Sequence, residues 1–153
     1  MKLSIRPADS TDLPAMLAIE QHAATAAHWS IEQYEALFRA SGRIALIVQE
    51  ETQQEKAQVQ GFIIARAIGV EWEIENIALA GPARRRGLGT RLLGEFLDLA
   101  RAQGAEAVFL EVRESNRAAR ALYEKWSFMR SGRRQKYYKD PEEDAILYRH
   151  GFA

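Results

Sequence analysis

Hydrophobic and polar positions along this chain switch between a period near two and a period near four, and each switch marks an element. Leu3 and Ile5 alternate with polar neighbours, as in a short first strand closed by Arg6-Pro7. Leu13, Met16, Leu17 and Ile19 have helical spacing, behind Asp9, Ser10, Thr11 and Asp12, all residues able to cap a helix. Ser30 with Gln33 three positions on is a capping-box pattern, and it predicts a second helix with Tyr34, Leu37 and Phe38 on its apolar face. The segment around His28-Trp29 reads as a loop, and Ser41-Gly42 closes the helical pair. Ile44 to Val48 is a continuous apolar run that predicts a buried strand; Glu50 to Gln58 is a polar hairpin tip, and Gly61 to Ile68 is the next strand. From Glu71 to Leu79 the period is two, with Val70, Trp72 and Ile74 facing one side and Glu71, Glu73 and Glu75 the other. Three strands with short links predict an antiparallel meander.

The second half alternates helix and strand. Leu88, Leu92, Leu93, Phe96, Leu97 and Ala100 form one helical stripe, with Gly104 placed to end it. Ala107 to Arg113 is a strand, and the long helix before it predicts a parallel crossover. Ser115 or Asn116 caps a helix over Arg117 to Lys125, with Ala118, Ala121 and Leu122 as the expected inner face. Phe128 to Tyr138 and Ala145 to Arg149 read as the last strands, joined by Lys139-Asp140-Pro141-Glu142. The order β-α-α-β-β-β-α-β-α-β-β predicts an α+β fold, a mixed and mostly antiparallel sheet flanked by helices, in a single domain over residues 1–153.

Composition narrows the chemistry. The chain has 153 residues, 47% of them hydrophobic, which suits one domain with a real core. Lys plus Arg and Asp plus Glu both number 21, so no net basic charge argues for direct nucleic-acid or membrane-surface binding. Without cysteine there is no thiol nucleophile and no thiolate metal site, and the cytoplasm is the expected location. The opening Met1-Lys2-Leu3-Ser4-Ile5-Arg6 contains no long apolar run of the signal-peptide kind. His22, His28 and His150 lie far apart in sequence, so no metal is expected.

Four groups of residues remain as candidates. Arg84-Arg85-Arg86-Gly87-Leu88-Gly89-Thr90, between a strand and a helix, turns backbone N–H groups and a helix dipole toward one spot, which suits a phosphate. It is neither a Walker loop, which ends in Gly-Lys-Ser/Thr, nor a dinucleotide fingerprint, which needs a third glycine. Glu111, inside the apolar run Phe109-Leu110-Glu111-Val112, is either a general base at the end of a strand or a carboxylate paired with Arg113 or another arginine. Tyr123, on the following helix, is either half-buried packing or a donor to a leaving group whose own pKa is about 8.5, against about 10 for the phenol. Asn116 is as readily a helix cap as a ligand contact. Glu71, Glu73 and Glu75 are a solvated face or a groove for a cationic amine, and Glu73 or Glu75 is an alternative base. Arg130, Arg133, Arg134 and Lys136 read as a solvated strand face.

Together these segments resemble the GNAT superfamily of N-acetyltransferases, through Arg84-x-x-Gly87-x-Gly89 placed after an alternating strand and before an amphipathic helix. A narrower similarity is to the ribosomal-protein alanine N-acetyltransferases. It rests on Trp29-Ser30, Asn76-Ile77-Ala78-Leu79, Leu110-Glu111-Val112-Arg113, Ser115-Asn116, Ala121-Leu122-Tyr123-Glu124, Tyr137-Tyr138 and Glu143-Asp144-Ala145-Ile146. The resemblance implies acetyl-CoA as co-substrate and an N-terminal amine of a protein, a ribosomal protein, as acceptor. It implies that Ile77, Ala78 and Leu79 pair with the pantetheine arm, that Arg84, Arg85, Arg86, Gly87, Leu88, Gly89 and Thr90 hold the pyrophosphate, and that Asn116 contacts the cofactor. It makes Glu111 the proton acceptor and Tyr123 the proton donor, with acetyl transfer by direct attack. The chain departs from the family where Trp126-Ser127 stands in place of the usual Leu-Gly before Phe128. A residue able to take positive φ is normal there, so either Ser127 adopts that conformation or the turn differs. The tail after Ile146 also lacks the usual Met, which bears on peptide specificity.

Overall fold

The computed structural model describes residues 2–22, 29–83 and 87–152. Seven strands and four α-helices follow one another as β1 (Lys2–Pro7), α1 (Leu13–Gln21), α2 (Ile31–Leu37), β2 (Arg43–Glu51), β3 (Gln58–Ile68), β4 (Glu71–Leu79), α3 (Leu88–Ala102), β5 (Ala107–Arg113), α4 (Arg117–Lys125), β6 (Met129–Tyr138) and β7 (Glu143–Gly151). The strands form one mixed sheet in the order β1-β2-β3-β4-β5-β7-β6. Backbone proximity divides the chain into two compact units, Met1–Arg66 with Glu75–Phe96, and Ala67–Ile74 with Leu97–Ala153.

In the first unit β1 and β2 pair antiparallel with Ile5 opposite Val48, and β2 and β3 with Ile47 opposite Phe62. Met16 and Ile19 of α1 and Tyr34 and Leu37 of α2 pack with Ile47, Phe62, Ile64 and Ala78. Each such side chain contributes roughly 1.5–3 kcal/mol by leaving water. The capping box read from sequence holds α2, while α1 starts without a side-chain cap bond. Ser30 Oγ accepts from Gln33 N at 3.1 Å, and Gln33 Oε1 accepts from Ser30 N at 2.8 Å. Asp9 caps a 3-10 turn at Ser10–Asp12, and the Arg6 guanidinium forks onto Asp12 at 2.8 and 2.7 Å.

In the second unit β5 pairs in parallel with β4, Trp72 opposite Val108, and antiparallel with β7, Leu110 opposite Tyr148. Val108, Leu110 and Val112 are buried, so Phe109, Glu111 and Arg113 occupy the other face. β6 is the outer strand beyond β7.

Two expectations change. Val70 is exposed, in the turn before β4, and does not join Trp72 and Ile74; its carbonyl accepts from Glu106 N at 2.8 Å. On α4 the expected inner face of Ala118, Ala121 and Leu122 is displaced: Ala118 and Ala121 are exposed, Leu122 is partly covered, and Tyr123 is the buried residue. A tyrosine ring has far more apolar surface to hide than two methyl groups, so it sets how the helix is turned.

Candidate active site

β4 supplies the strand expected to meet the cofactor's arm. Its alternation continues to the end, with Trp72, Ile74, Asn76 and Ala78 buried and Glu71, Glu73, Glu75, Ile77 and Leu79 half-buried on the other face. Ile77 and Leu79 therefore share a face with the acidic residues. Gly61 of β3 lies hard against this strand: a Cβ there would sit 2.8 Å from Ala78 O and would also strike the Leu79 side chain. A glycine inside a strand is the sequence signal for such a close approach, and Gly61 was legible only as a strand residue.

Behind Ile77 the strand is tied to both N-terminal helices. Asn76 Nδ2 donates to Glu20 Oε1 at 3.3 Å and to the Tyr34 hydroxyl at 3.1 Å, while Trp29 N donates to the same Glu20 oxygen at 2.6 Å. Glu20 is 3% exposed and Tyr34 fully buried. Burial, then a hydrogen bond to Glu20, pushes the Tyr34 phenol far above its ordinary range. None of this was visible in the sequence, because residues 20, 29, 34 and 76 share no local pattern.

The loop after β4 gives a partial answer. Arg84, Arg85 and Arg86 lie outside the described residues. Gly87 has φ +76°, a left-handed conformation that favours glycine, and its carbonyl accepts from Arg91 N at 3.1 Å as α3 begins. Leu88 and Gly89 are buried and Thr90 half-buried, so Leu88 anchors the helix in the core and offers its backbone, not its side chain.

The acidic face separates into paired groups. Arg43 places Nε and Nη2 on Glu75 at 3.0 and 3.1 Å, with Arg66 Nε at 3.7 Å. This two-sided clamp makes Glu75 a structural anion. Arg149 Nη2 lies 3.4 Å from Glu71. Glu73 is opposite Phe109 in the parallel register, on the same face of the sheet as Glu111.

Glu111 keeps its side chain 20% exposed and pairs through Oε1 with Arg134 Nε at 2.8 Å. The partner is thus Arg134 of β6 and not Arg113, which lies 3.3 Å from Glu143 and over the Tyr138 ring at 4.3 Å. The negative charge of Glu111 is also the main cause of the raised pKa of Tyr137. Burial pushes Tyr138 up to about 12. The basic run of β6 is exposed, as expected, yet two of its arginines are engaged. Arg134 holds Glu111, and Arg133 bridges Glu114 and Asp144 at 2.5 and 2.6 Å.

Tyr123 is 4% exposed, with its ring 5.6 Å from Phe128 and 6.2 Å from Tyr148 between centroids. Burial raises its pKa well above 10, so at neutral pH it is a phenol and a donor. Tyr148 is already engaged: its O–H donates to Glu124 at 2.6 Å and accepts from Arg120 Nε at 3.1 Å. Immediately after Tyr123 the helix ends. Phe128 N donates to Tyr123 O and Ser127 N to Glu124 O, both at 3.0 Å, and Ser127 has φ +63°. Ser127 thus adopts the glycine-type conformation. Asn116 is the cap of α4: its Oδ1 accepts from Ala119 N at 3.2 Å, and Ser115 is not the cap.

Residues 13–128 match the model of the acetyltransferase (GNAT) family. The chain belongs to the GNAT acetyltransferases. It is 36% identical over 146 residues, 94% of each chain, to the [ribosomal protein bS18]-alanine N-acetyltransferase of Escherichia coli. The crystal structure of the ribosomal-protein-S18-alanine N-acetyltransferase from Escherichia coli superposes with a TM-score of 0.86 at 33% identity, covering 99% of this chain and 95% of that one. Arabidopsis thaliana NAA60, solved with acetyl-CoA, shares the fold with a TM-score of 0.87 at 16% identity, covering 99% of each chain. As a GNAT enzyme the protein is an acetyl-CoA-dependent N-acetyltransferase. The left-handed Gly87 followed by the first turn of α3 suits a pyrophosphate, since that turn leaves backbone N–H groups without partners inside the helix. Among the described residues no group of three or more His, Cys, Asp or Glu is placed to hold a metal ion, and no helix is long and apolar enough to cross a membrane.

Proposed function

We propose that this GNAT enzyme acetylates a protein N-terminus, the N-terminal alanine of a small-subunit ribosomal protein, with residues 1–153 acting as one catalytic domain. The reading rests on the 36% identity to an enzyme of that name extending over 94% of both chains. Bound acetyl-CoA supplies an activated thioester carbonyl. Ile77, Ala78 and Leu79 hold its pantetheine arm by strand-like pairing, residues 84–90 bind its pyrophosphate, and Asn116, beyond capping α4, contacts the cofactor.

The α-amino group has a pKa of about 7.7–8.0, so much of it is protonated at neutral pH and must lose a proton before it attacks. Glu111 accepts that proton, through water, and is preferred to Glu75 because Arg43 and Arg66 already occupy the Glu75 carboxylate. The amine then attacks the carbonyl directly, with a backbone N–H near Leu79 stabilising the charge on oxygen. Tyr123 gives its proton to the departing thiolate. The test is acetyl-CoA turnover with a panel of peptides: one beginning with alanine, the same peptide acetylated, lysine peptides and small amines. Turnover confined to the free alanine peptide supports the reading; preference for lysine or a small amine overturns the acceptor, and cofactor binding without turnover on any of them points to a sensor.

A further inference from the structure

Arg134 and Tyr137 stand three positions apart on β6, so a regular strand would send them to opposite faces of the sheet. The pairing with β7 is irregular at this point. Arg134 lies opposite Ala145 and Tyr138 opposite Glu143, so β6 advances from 134 to 138 while β7 moves only from 145 to 143. The surplus residues bulge, and bulges re-aim side chains. Lys136 sits in the bulge with φ +51°, and its N–H donates to Asp144 Oδ1 at 2.9 Å, which ties the bulge to β7. Arg134 itself precedes this bulge: opposite Ala145, which also pairs with Arg113, it already shares a face with Glu111. Arg134 Nε is 2.8 Å from Glu111 Oε1, the Glu111 charge raises the Tyr137 pKa, and the Arg134 guanidinium lies 5.6 Å from the Tyr137 ring centroid.

We propose that Arg134 is a positioning residue for the acceptor's base: from its place opposite Ala145 on β6, with Tyr137 brought beside it by the bulge, it pins the Glu111 carboxylate in the orientation that receives the proton. This rests on Glu111 being that base. A free glutamate samples several rotamers, and general-base catalysis needs the oxygen within hydrogen-bond reach of the proton or of one bridging water. Arg134 supplies the constraint from outside the reacting group. The Arg134 side chain is 55% exposed, and an ion pair so open to water adds little to folding. Its substitution therefore reports on catalysis with little disturbance of the fold.

The experiment is a double-mutant cycle on the full chain, with steady-state kinetics on the alanine peptide. Arg134→Met should lower kcat about tenfold, with KM for acetyl-CoA and the melting temperature unchanged. Arg134→Lys should recover part of the loss, since it keeps the charge but not the planar fork. In the Glu111→Gln background Arg134→Met should cost nothing more, because there is no longer a carboxylate to position. Full kcat in Arg134→Met, or the same tenfold loss added to that of Glu111→Gln, overturns the inference while leaving Glu111 as the base. A wild-type rate in Glu111→Gln alone removes the base assignment, and this inference falls with it.

Discussion

Two carboxylates, one in each unit, show how differently this fold uses the same group. Glu20 is 3% exposed and held by neutral donors: the Trp29 backbone N–H and the Asn76 amide, which also donates to the Tyr34 hydroxyl. Glu111 keeps its side chain 20% exposed and is held by a solvated arginine, with the exposed Tyr137 nearby. A carboxylate surrounded by fixed donors and shut from water joins helices to a strand; it has no route by which to pass a proton on. One held from the side by partners that water can reach can pass a proton to solvent. The surroundings, more than the residue type, separate structural from chemical roles.

Substitutions can break this comparison at either end. The largest effect should come from Glu20→Ala, which takes the acceptor from the Trp29 N–H, removes one of the two acceptors of the Asn76 amide and opens a buried space; a loss of about 3 kcal/mol is expected in denaturant unfolding. Near-native stability would mean that Glu20 does not join the helices to β4. Next, Glu111→Gln should lower kcat about a hundredfold with acetyl-CoA affinity kept, and the deficit should be greatest at low pH, where the acceptor amine is protonated. Calorimetry on Glu111→Gln should show little change in stability, the reverse of Glu20. Tyr123→Phe should slow single-turnover acetyl transfer about tenfold; an unchanged rate would reduce Tyr123 to packing against Phe128 and Tyr148. Ser127→Gly should add about 1 kcal/mol of stability, because it relieves a left-handed non-glycine residue, read as a higher melting temperature. The smallest signal is the titration of Tyr137, whose pKa lies above the ordinary 10.0 chiefly because the Glu111 charge opposes a phenolate. Removing that charge in Glu111→Gln should move the Tyr137 ionisation down, and ultraviolet or NMR titration would detect it.

What the sequence disclosed follows the range of the interactions. β4, β5 and α4 fall where alternation and caps placed them, at Glu71–Leu79, Ala107–Arg113 and Arg117–Lys125, because those signals are local. The buried stripe of α3 was readable for the same reason, as every residue from Leu88 through Ala100 that it named is buried. The glycine expected in place of Ser127 left two outcomes open, positive φ or a different turn, and the structure has the first. The partner of Glu111 was not legible, since Arg134 sits two strands away on β6, whose register against β7 shifts twice, and such shifts leave no mark in a pattern of alternation. Gly61 and the Glu20 network were hidden likewise, their contacts spanning segments far apart in the chain. The inner face of α4 was misplaced because alanines say little about direction, and one tyrosine outweighs them.

The ending of α4 has a thermal consequence. The Phe128 N–H that closes the last turn and the Phe128 ring that rests on Tyr123 belong to one residue, so the aim of the phenol depends on a helix terminus staying wound. Helix ends are among the first parts of a fold to open on warming. Acetyl transfer should therefore fade at temperatures where the rest of the molecule still resists unfolding, and a glycine at position 127, by tightening that turn, should widen the range over which the enzyme works.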